Sequence, residues 1–234
     1  MSSDAWADLV ERIVSCERCP RLVEHRRRVA ENPPKRYRGQ QYWARPLPGF
    51  GDRNARILVV GLAPAAHGGN RTGRMFTGDS SADFLMRTLH SLGLASMPRS
   101  VSRDDGLQLW DVFLTAPVRC VPPENRPTRE ELENCYPFLR EEFALLGNVR
   151  VIVALGAIGF SAVRRLLADE GFSPVGKRTP KFSHGAHYEF RNREGRRIHL
   201  LASYHPSRQN TNTGRLTEAM FRRVFRRAIE LARS

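Results

Sequence analysis

Four apolar runs, each followed by a polar loop and then a helical pattern, place the strongest constraint on how this chain can fold. The runs are short and almost wholly apolar, as strands are when both of their faces are covered. They lie at residues 56–60, 109–114, 149–155 and 198–203. Helical periodicity follows them at 80–92, from Thr128 onward, at 157–168 and at 215–232. This alternation predicts an α/β fold with a mostly parallel sheet and helices on both faces.

The predicted sheet places its unusual loops at one edge. Residues 61–79, 115–127 and 204–214 all follow the carboxyl ends of strands, where ligands bind in sheets of this kind. The first of these loops, GLAPAAHGGNRTGRMFTGD, is long, rich in glycine and without apolar periodicity. Loops of this length inside a domain are typically functional or disordered, and the apolar elements on either side favour function. The sequence therefore predicts a site at this edge.

Outside these elements the sequence is less regular. Residues 4–15 have the periodicity of an amphipathic helix, whereas the prolines and glycines of 31–54 indicate an irregular arm. Arginines and aromatic residues interleave in the arm, which suits either a nucleic-acid surface or packing onto the body of the protein. The stretch 171–192 gives no clear pattern and carries Lys177, Arg178 and Lys181.

Charge indicates the class of partner. The formal net charge is +14 and the pI is about 10.8, carried almost entirely by arginine. This balance favours a polyanionic partner, although arginine-rich coding alone can also raise a pI. No apolar stretch is long enough to span a membrane, and the N-terminus has no signal-peptide hydrophobic region. We therefore expect a cytoplasmic monomer without membrane association, located at the nucleoid if the source is bacterial.

The four cysteines form a C-x2-C pair and a distant C-x14-C pair. In a cytosolic chain they are expected to be ligands or reactive thiols rather than disulfides. Two thiolates separated by two residues can face one metal centre, and four unrelated buried thiols are the alternative. The residues are Cys16, Cys19, Cys120 and Cys135.

Three features together resemble the uracil-DNA glycosylase superfamily, and within it the iron–sulfur enzymes of family 5, also called type B. They are the loop 61–79, the cysteine spacing, and HPSRQN at 205–210. The resemblance implies a three-layer α/β/α sandwich around a four-stranded parallel sheet. It also implies one domain over 1–234, with the N-terminal helix and the arm, about 1–54, packed on it. A structural [4Fe-4S] cluster on the four cysteines is implied as well, with zinc as the alternative.

The resemblance also implies a set of site residues. Phe76 would stack on the extruded base, and His205 would donate a hydrogen bond to the base as it becomes anionic. Asp79 would act in catalysis, although an Asp directly before SADFLMRTL is also a natural helix N-cap. Asn125 would contact the base or the attacking water, or serve only its turn. The pocket backbone would come from Gly61, Ala63 and Pro64.

The same resemblance implies a DNA surface. Three arginines near these motifs are expected to contact phosphates: Arg71, Arg74 and Arg119. The loop expected to probe the duplex comprises Ser207, Arg208, Gln209 and Asn210. Phosphate contacts position a protein without reading sequence. Because these contacts are between charges, binding is expected to weaken with salt.

The implied reaction is the hydrolytic excision of uracil from single- or double-stranded DNA, which leaves an abasic site. The first motif, 61–66, carries no polar side chain where other families place one, and the uracil-reading asparagine is replaced near Thr115 and Ala116. We therefore expect broad specificity that includes hypoxanthine and other damaged bases. A non-catalytic iron–sulfur protein that binds DNA or transfers electrons is the alternative. A nuclease is disfavoured because Asp104 and Asp105 are the only close aspartate pair.

Overall fold

A computed structural model describes residues 3–176 and 179–234. Lys177 and Arg178 of the unassigned stretch lie outside the described residues. The helices are α1 (Ser3–Val14), α2 (Pro20–Glu31), α3 (Gly69–Thr72), α4 (Ser80–Ser91), α5 (Arg129–Leu145), α6 (Gly156–Asp169), α7 (Arg208–Asn212) and α8 (Glu218–Arg233). The strands are β1 (Phe50–Gly51), β2 (Ile57–Val60), β3 (Val112–Thr115), β4 (Val151–Leu155), β5 (Ser173–Pro174), β6 (His187–Arg191) and β7 (Arg197–Ser203).

All the strands lie in one sheet, in the order β1-β3-β2-β4-β7-β6-β5. The four central strands β3, β2, β4 and β7 are parallel, as predicted. The outer strands β1, β5 and β6 pair antiparallel and were not predicted. Two of them are only two residues long, and β6 (HYEFR) is mostly polar and half-exposed, so none contains a continuous apolar run.

Helices cover both faces of the central strands, which explains why these strands are apolar throughout. Every residue of β2, β3 and β4 is buried. One core forms between the sheet and the pair α4 and α8, and the other between the sheet and the pair α5 and α6. The three-layer α/β/α arrangement is therefore confirmed. No helix in the described residues is long and apolar enough to cross a membrane.

The N-terminal region packs against the body through two helices and the arm. The predicted helix α1 is present, and Leu9 and Ile13 pack on Phe138 of α5. Helix α2 was not predicted; it begins with Pro20 at its first position, directly after Cys19. The arm lies on the loop 61–79, because the backbone N–H groups of Trp43 and Ala44 donate to carbonyls of that loop.

A buried ion pair joins the segment after β3 to the helix α5 across the protein interior. The carboxylate of Glu142 accepts two hydrogen bonds of 2.8 Å from Arg119, and both side chains are at most 2% exposed. The same carboxylate accepts hydrogen bonds from the hydroxyl of Thr115 at 2.5 Å and from the backbone N–H of Gly49 at 2.8 Å. One acidic side chain therefore holds three separate segments in place.

Removal of one member of this pair should be strongly destabilising. In Arg119→Met the charge of Glu142 stays buried without its partner, so we expect a loss of about 3–5 kcal/mol in the free energy of unfolding. Arg87→Met is the matched control, since Arg87 pairs with Glu218 at the surface, where such a pair contributes at most about 1 kcal/mol. Urea unfolding monitored by circular dichroism gives both values, and equal losses in the two variants would contradict this role.

Candidate active site

Four connections leave the carboxyl ends of the parallel strands at one edge of the sheet. They are the loop 61–79 after β2, the segment after β3, the start of α6 after β4, and the segment after β7. The first two are tied together by hydrogen bonds from the N–H of Gly61 to the carbonyl of Thr115 (2.9 Å) and from Val118 to Leu62 (3.4 Å). The predicted convergence of loops is therefore present.

Phe76 lies with its ring over the backbone of Gly61. A Cβ built on Gly61 would be 2.6 Å from Cζ of Phe76, so a side chain at position 61 would displace the ring. The backbone of Phe76 is in the left-handed region, with φ of 48°. That conformation is rare for a bulky residue and is found mainly where function demands it. The ring is also only partly buried, which leaves a surface on which a planar ligand can stack.

The start of α6 packs against both the loop 61–79 and the segment of His205. A Cβ on Gly159 would be 2.7 Å from the carbonyl oxygen of Gly61, so the first turn of the helix packs directly on the loop backbone. Gly156 has φ of 87°, and its built Cβ would contact Cβ of His205 at 3.5 Å. Because the ring of Phe76 lies over Gly61, the predicted stacking residue and the predicted histidine are both near the first turn of one helix.

His205 is a neutral imidazole at physiological pH. Burial lowers its pKa to about 4, because the charged form would lose hydration without gaining a counter-ion. Its carbonyl accepts a hydrogen bond of 2.8 Å from the side-chain amide of Asn210. The preceding residue, Tyr204, stacks on His184 with ring centroids 5.0 Å apart and donates its N–H to Nδ1 of His184. The position of His205 is thus supported from both sides.

Asp79 caps the helix α4, as the capping alternative predicted. Its Oδ1 accepts the backbone N–H of Ala82 at 2.8 Å, and Ser81 donates a second hydrogen bond. Burial raises the pKa of Asp79 above its usual value, and these backbone hydrogen bonds oppose that shift. Oδ2 lies directly against Gly68, where a Cβ could not be accommodated. The carboxylate therefore sits within the loop 61–79, and its catalytic role stays a prediction.

The remaining pocket residues differ in exposure. Pro64 is buried beneath α3, and Ala63 is partly buried against the cysteines. Asn125 is exposed, with φ of 56°, in a short turn after two prolines, so it can only border the pocket. The hydroxyl of Thr115 is buried and donates to Glu142, so it is not available to a base.

Two of the three predicted phosphate contacts are wrong. Arg74 is 5% exposed and pairs with Asp105 at 2.8 Å, and Arg119 is buried against Glu142. Neither guanidinium can reach a phosphate without breaking a buried ion pair, so both arginines are structural. Arg71 is partly exposed, but it also braces the loop through hydrogen bonds to the carbonyls of His67 and Gly78. Its contact with phosphate stays a prediction.

The predicted probing loop forms the short helix α7. Ser207 is its N-cap and accepts the backbone N–H of Asn210 at 3.4 Å. Arg208 and Gln209 are exposed, and Nε of Arg208 donates to the hydroxyl of Ser80, beside Asp79. This helix therefore lies at the edge of the pocket, between His205 and the start of α4.

The four cysteines are brought together beside the loop 61–79, and no disulfide joins them in the described residues. Cys19 and the buried pair Cys120 and Cys135 pack in one cluster with Ala63, and Cys16 is close enough to influence their ionisation. Burial raises the pKa of Cys120 to about 12 and that of Cys135 to about 11. Among the described residues, no group of three or more metal-binding side chains converges on a single ion position.

Each cysteine sulfur accepts a hydrogen bond from one N–H group. These donors show whether the four cysteines suit an anionic metal centre. The donors are Arg18 to Cys16 (3.4 Å), Asn134 to Cys19 (3.5 Å), Arg26 to Cys120 (3.1 Å) and the backbone N–H of Arg119 to Cys135. The Nε of Arg26 is buried without a hydrogen-bond partner. Neutral thiols do not need a buried guanidinium, whereas thiolates on a metal centre do. The donor set therefore fits such a centre.

Comparison with known proteins identifies the family. The family described as the Uracil DNA glycosylase superfamily is matched over residues 48–229. The chain is 52% identical to a "Type-5 uracil-DNA glycosylase" of Pyrobaculum aerophilum, covering 95% of this chain and 92% of that protein. It is 53% identical to a protein of the same name from Thermus thermophilus, covering 95% and 96%. A "Type-4 uracil-DNA glycosylase" of Pyrobaculum aerophilum is 31% identical over 85% of this chain.

The chain belongs to the uracil DNA glycosylase superfamily. The resemblance carried by the loop 61–79 and the segment 205–210 is thereby confirmed.

Sequence reasoning missed two side chains that support this glycosylase-family site. Asn70 is 1% exposed, and its amide donates to the carbonyl of Arg26, the same residue whose side chain reaches Cys120. Helix α2 thus links the cysteines to the loop 61–79. His184, which braces Tyr204, lies in the stretch that gave no clear pattern. A buried asparagine and a paired histidine have no periodic signal, so only the fold reveals them.

Variants of Asp79 separate capping from chemistry. Asn is an equally good N-cap, so Asp79→Asn should keep the unfolding free energy, whereas Asp79→Ala should lose about 1 kcal/mol. If the carboxylate also acts in the reaction, Asp79→Asn loses activity while it stays stable. Thr217→Ala, which removes the cap of α8, should reproduce the stability loss with an unchanged rate. Full activity in Asp79→Asn would assign Asp79 to capping alone.

Proposed function

We propose that this chain is a uracil-DNA glycosylase of the type-5 class that flips uracil out of DNA and hydrolyses its N-glycosidic bond, leaving an abasic site. The observation that carries the proposal is the placement of Phe76 and a neutral His205 near the same first turn of α6. The support from comparison is about 50% identity over nearly the whole chain to proteins named as type-5 enzymes.

The geometry suits the charge that develops during this reaction. An extruded base needs a planar surface, and the partly exposed ring of Phe76 provides one. As the glycosidic bond lengthens, negative charge accumulates on the base oxygens, and a fixed donor stabilises it most when water is excluded. A neutral imidazole on His205 keeps one ring N–H, which can donate a hydrogen bond to that oxygen.

The water and the sugar cation need a different group, and Asp79 is our candidate. The first motif offers no polar side chain at Ala65 or Ala66, and the carboxylate of Asp79 lies against Gly68, two residues further along the same loop. A carboxylate held by two backbone N–H groups has a fixed direction, which suits the orientation of a water. Asn125, at the border of the pocket, is a second candidate for contact with the base or the water.

The pocket lacks the side chains that would restrict it to uracil. The residues after Gly61 are small and apolar, and the hydroxyl of Thr115 already donates to Glu142. A site without a dedicated amide cannot strongly reject bases that differ at the Watson–Crick edge. We therefore extend the proposal to hypoxanthine and other deaminated or damaged bases.

DNA contacts are proposed on the exposed residues that border the pocket, namely Arg71, Arg208 and Gln209 with the capped turn at Ser207 and Asn210. The enzyme is proposed to act as a monomer on single- or double-stranded DNA.

Uracil excision in single-turnover conditions tests the proposal. Wild type should convert a uracil-containing oligonucleotide to an abasic product, and His205→Ala should be slower by about 10²–10³-fold because a donor to the leaving base is lost. The pKa of His205 is about 4, so the ratio of the two rates should stay constant from about pH 5.5 to about pH 8. Hypoxanthine should also be excised from a duplex that contains it.

His184→Phe is a useful comparison for this test, since it keeps an aromatic ring beside Tyr204 and leaves His205 in place. Its rate should fall less than that of His205→Ala. DNA binding without any abasic product from uracil would reject the glycosylase and favour a non-catalytic iron–sulfur protein that binds DNA or transfers electrons. A step in the rate ratio near the ordinary pKa of histidine would contradict the neutral donor.

We propose a structural [4Fe-4S] cluster on Cys16, Cys19, Cys120 and Cys135. Cys19, Cys120 and Cys135 pack in one cluster with Cys16 near them, and each sulfur accepts an N–H, which suits thiolates bound to such a cluster. When bound, the cluster would cross-link helix α2, the segment after β3 and helix α5. Zinc is the alternative that the experiment must distinguish.

Metal analysis of the purified protein tests the cofactor. Wild type should be brown, with iron and acid-labile sulfide in equal amounts and little zinc, and Cys120→Ser should lose most of the iron and melt at a lower temperature because three segments lose their common attachment. Ser15→Ala, beside the first cysteine pair, should retain the iron. Colourless wild-type protein with stoichiometric zinc would overturn the cluster.

A further inference from the structure

A groove runs along one flank of the protein, between helix α8, the outer strand β6 and the neighbouring central strand β7. It comprises two cavities of about 520 and 530 Å³. The first is lined by His184, His187, Arg223 and Arg227 among others, and the second by Arg150, Arg196, Arg197 and His199 among others. We call this the flank groove. It exists because β6 extends the sheet beyond the width that α8 covers.

The two cavities form one path. Nε2 of His187, in the first, lies 3.1 Å from Nδ1 of His199, in the second. Helix α8 supplies a wall to both, with Arg227 in one and Leu231, one turn further along, in the other. The two cavities are therefore neighbours along the strand direction and meet at the His187–His199 pair.

The groove begins beside the candidate active site. His184, at one end, stacks on Tyr204, the neighbour of His205. The other end lies at the opposite edge of the sheet, where β4 and β7 begin next to Arg150 and Arg197. Seven residues of β7 span this distance, which at the rise of a strand is about 23 Å. The groove thus leads from the pocket along the whole flank.

The charges in the groove are mostly uncompensated. Within the described part of the chain, Arg150, Arg197 and Arg223 have no carboxylate within ion-pair distance, and all three are exposed. Arg196 donates only to backbone carbonyls, those of Gly147 and Val149.

Two acidic side chains near the groove are already paired, Glu230 with Arg227 and Glu189 with Arg191, and Glu194 lies close enough to act on Arg196. The groove therefore presents a line of guanidinium groups whose hydrogen-bond donors face solvent.

We propose that the flank groove binds the phosphodiester backbone of the DNA strand that extends beyond the base pocket. Guanidinium groups pair with phosphates through two hydrogen bonds and are less strongly hydrated than ammonium groups, so they are suited to such a backbone. A path of about 23 Å accommodates several successive phosphates. An acidic protein partner would be expected to use a central apolar or aromatic anchor. The apolar side chains of Leu201 and Met220 line only the first cavity, whereas arginine, asparagine and histidine dominate the second.

The proposal uses DNA as the substrate of the proposed function, but its test reads binding rather than excision. Arg197→Glu combined with Arg223→Glu changes the two ends of the groove without touching the pocket. Affinity for a long undamaged DNA should fall at least tenfold, and the slope of log affinity against log salt should decrease by about 2, one for each phosphate that the variant no longer binds. Single-stranded and duplex forms of the long DNA, compared by fluorescence anisotropy, show which one the groove prefers.

A charge-matched control lies on the opposite layer. Arg164→Glu combined with Arg28→Glu places the same charge on exposed positions of α6 and α2, and it should change the affinity less and alter the salt slope little. At saturating concentration, a short uracil oligonucleotide that covers only the pocket should lose its uracil at the same rate with the groove variant as with wild type. A second variant, Arg197→Gln combined with Arg223→Gln, removes the two charges without reversing them. Melting temperatures that match wild type in both groove variants exclude misfolding as the cause of weaker binding.

Equal affinities and salt slopes in the groove and control variants would overturn the proposal. Selective loss of binding in the groove variant would support it even if no variant, wild type included, excises uracil. In that case the proposed function would fail and the groove would stand. Normal excision with no difference in binding between the two variants would instead reject the groove and leave the proposed function intact.

Discussion

The buried carboxylate of Glu142 is the interaction on which the arrangement of the site depends. It accepts hydrogen bonds from Arg119, Thr115 and the N–H of Gly49, and thereby joins the helix α5, the end of β3 and the arm. The backbone N–H of Arg119 in turn donates to Cys135, and Cys120 follows directly in the chain. One ion pair, shielded from water, therefore fixes both the floor of the base pocket and two of the four cysteines, although Nε of Arg119 has no hydrogen-bond partner in the described residues.

The glycines of the candidate site act as contact surfaces for neighbouring groups. Gly61 lies beneath the ring of Phe76, Gly68 against the carboxylate of Asp79, and Gly159 against the backbone of Gly61. A Cβ at any of these positions would collide with its neighbour. The loop 61–79 can therefore bring an aromatic ring, a carboxylate and a helix terminus close together because its own side chains are missing.

Local signals predicted the central strands and the helices that follow them, since period and apolar runs are encoded by neighbouring residues. The misses depend on distant partners. Strand β6 is half-polar and exists because β7 offers an edge, and Arg74 and Arg119 are buried because Asp105 and Glu142 meet them from other elements. Only the fold shows that Phe76 and His205 both lie near the first turn of α6, whereas each residue alone was visible in a motif.

The arginine content shows why net charge cannot locate a binding surface. Two arginines close in sequence to the motifs, Arg74 and Arg119, are neutralised in the interior. Arg197 and Arg223, far from any motif, lie in the flank groove without an acidic partner in the described residues. An arginine near a motif sits among loops that must be held rigid, and rigid loops recruit it into buried pairs. Arg197 on β7 and Arg223 on α8 have no such task, so their charge remains available to a polyanion.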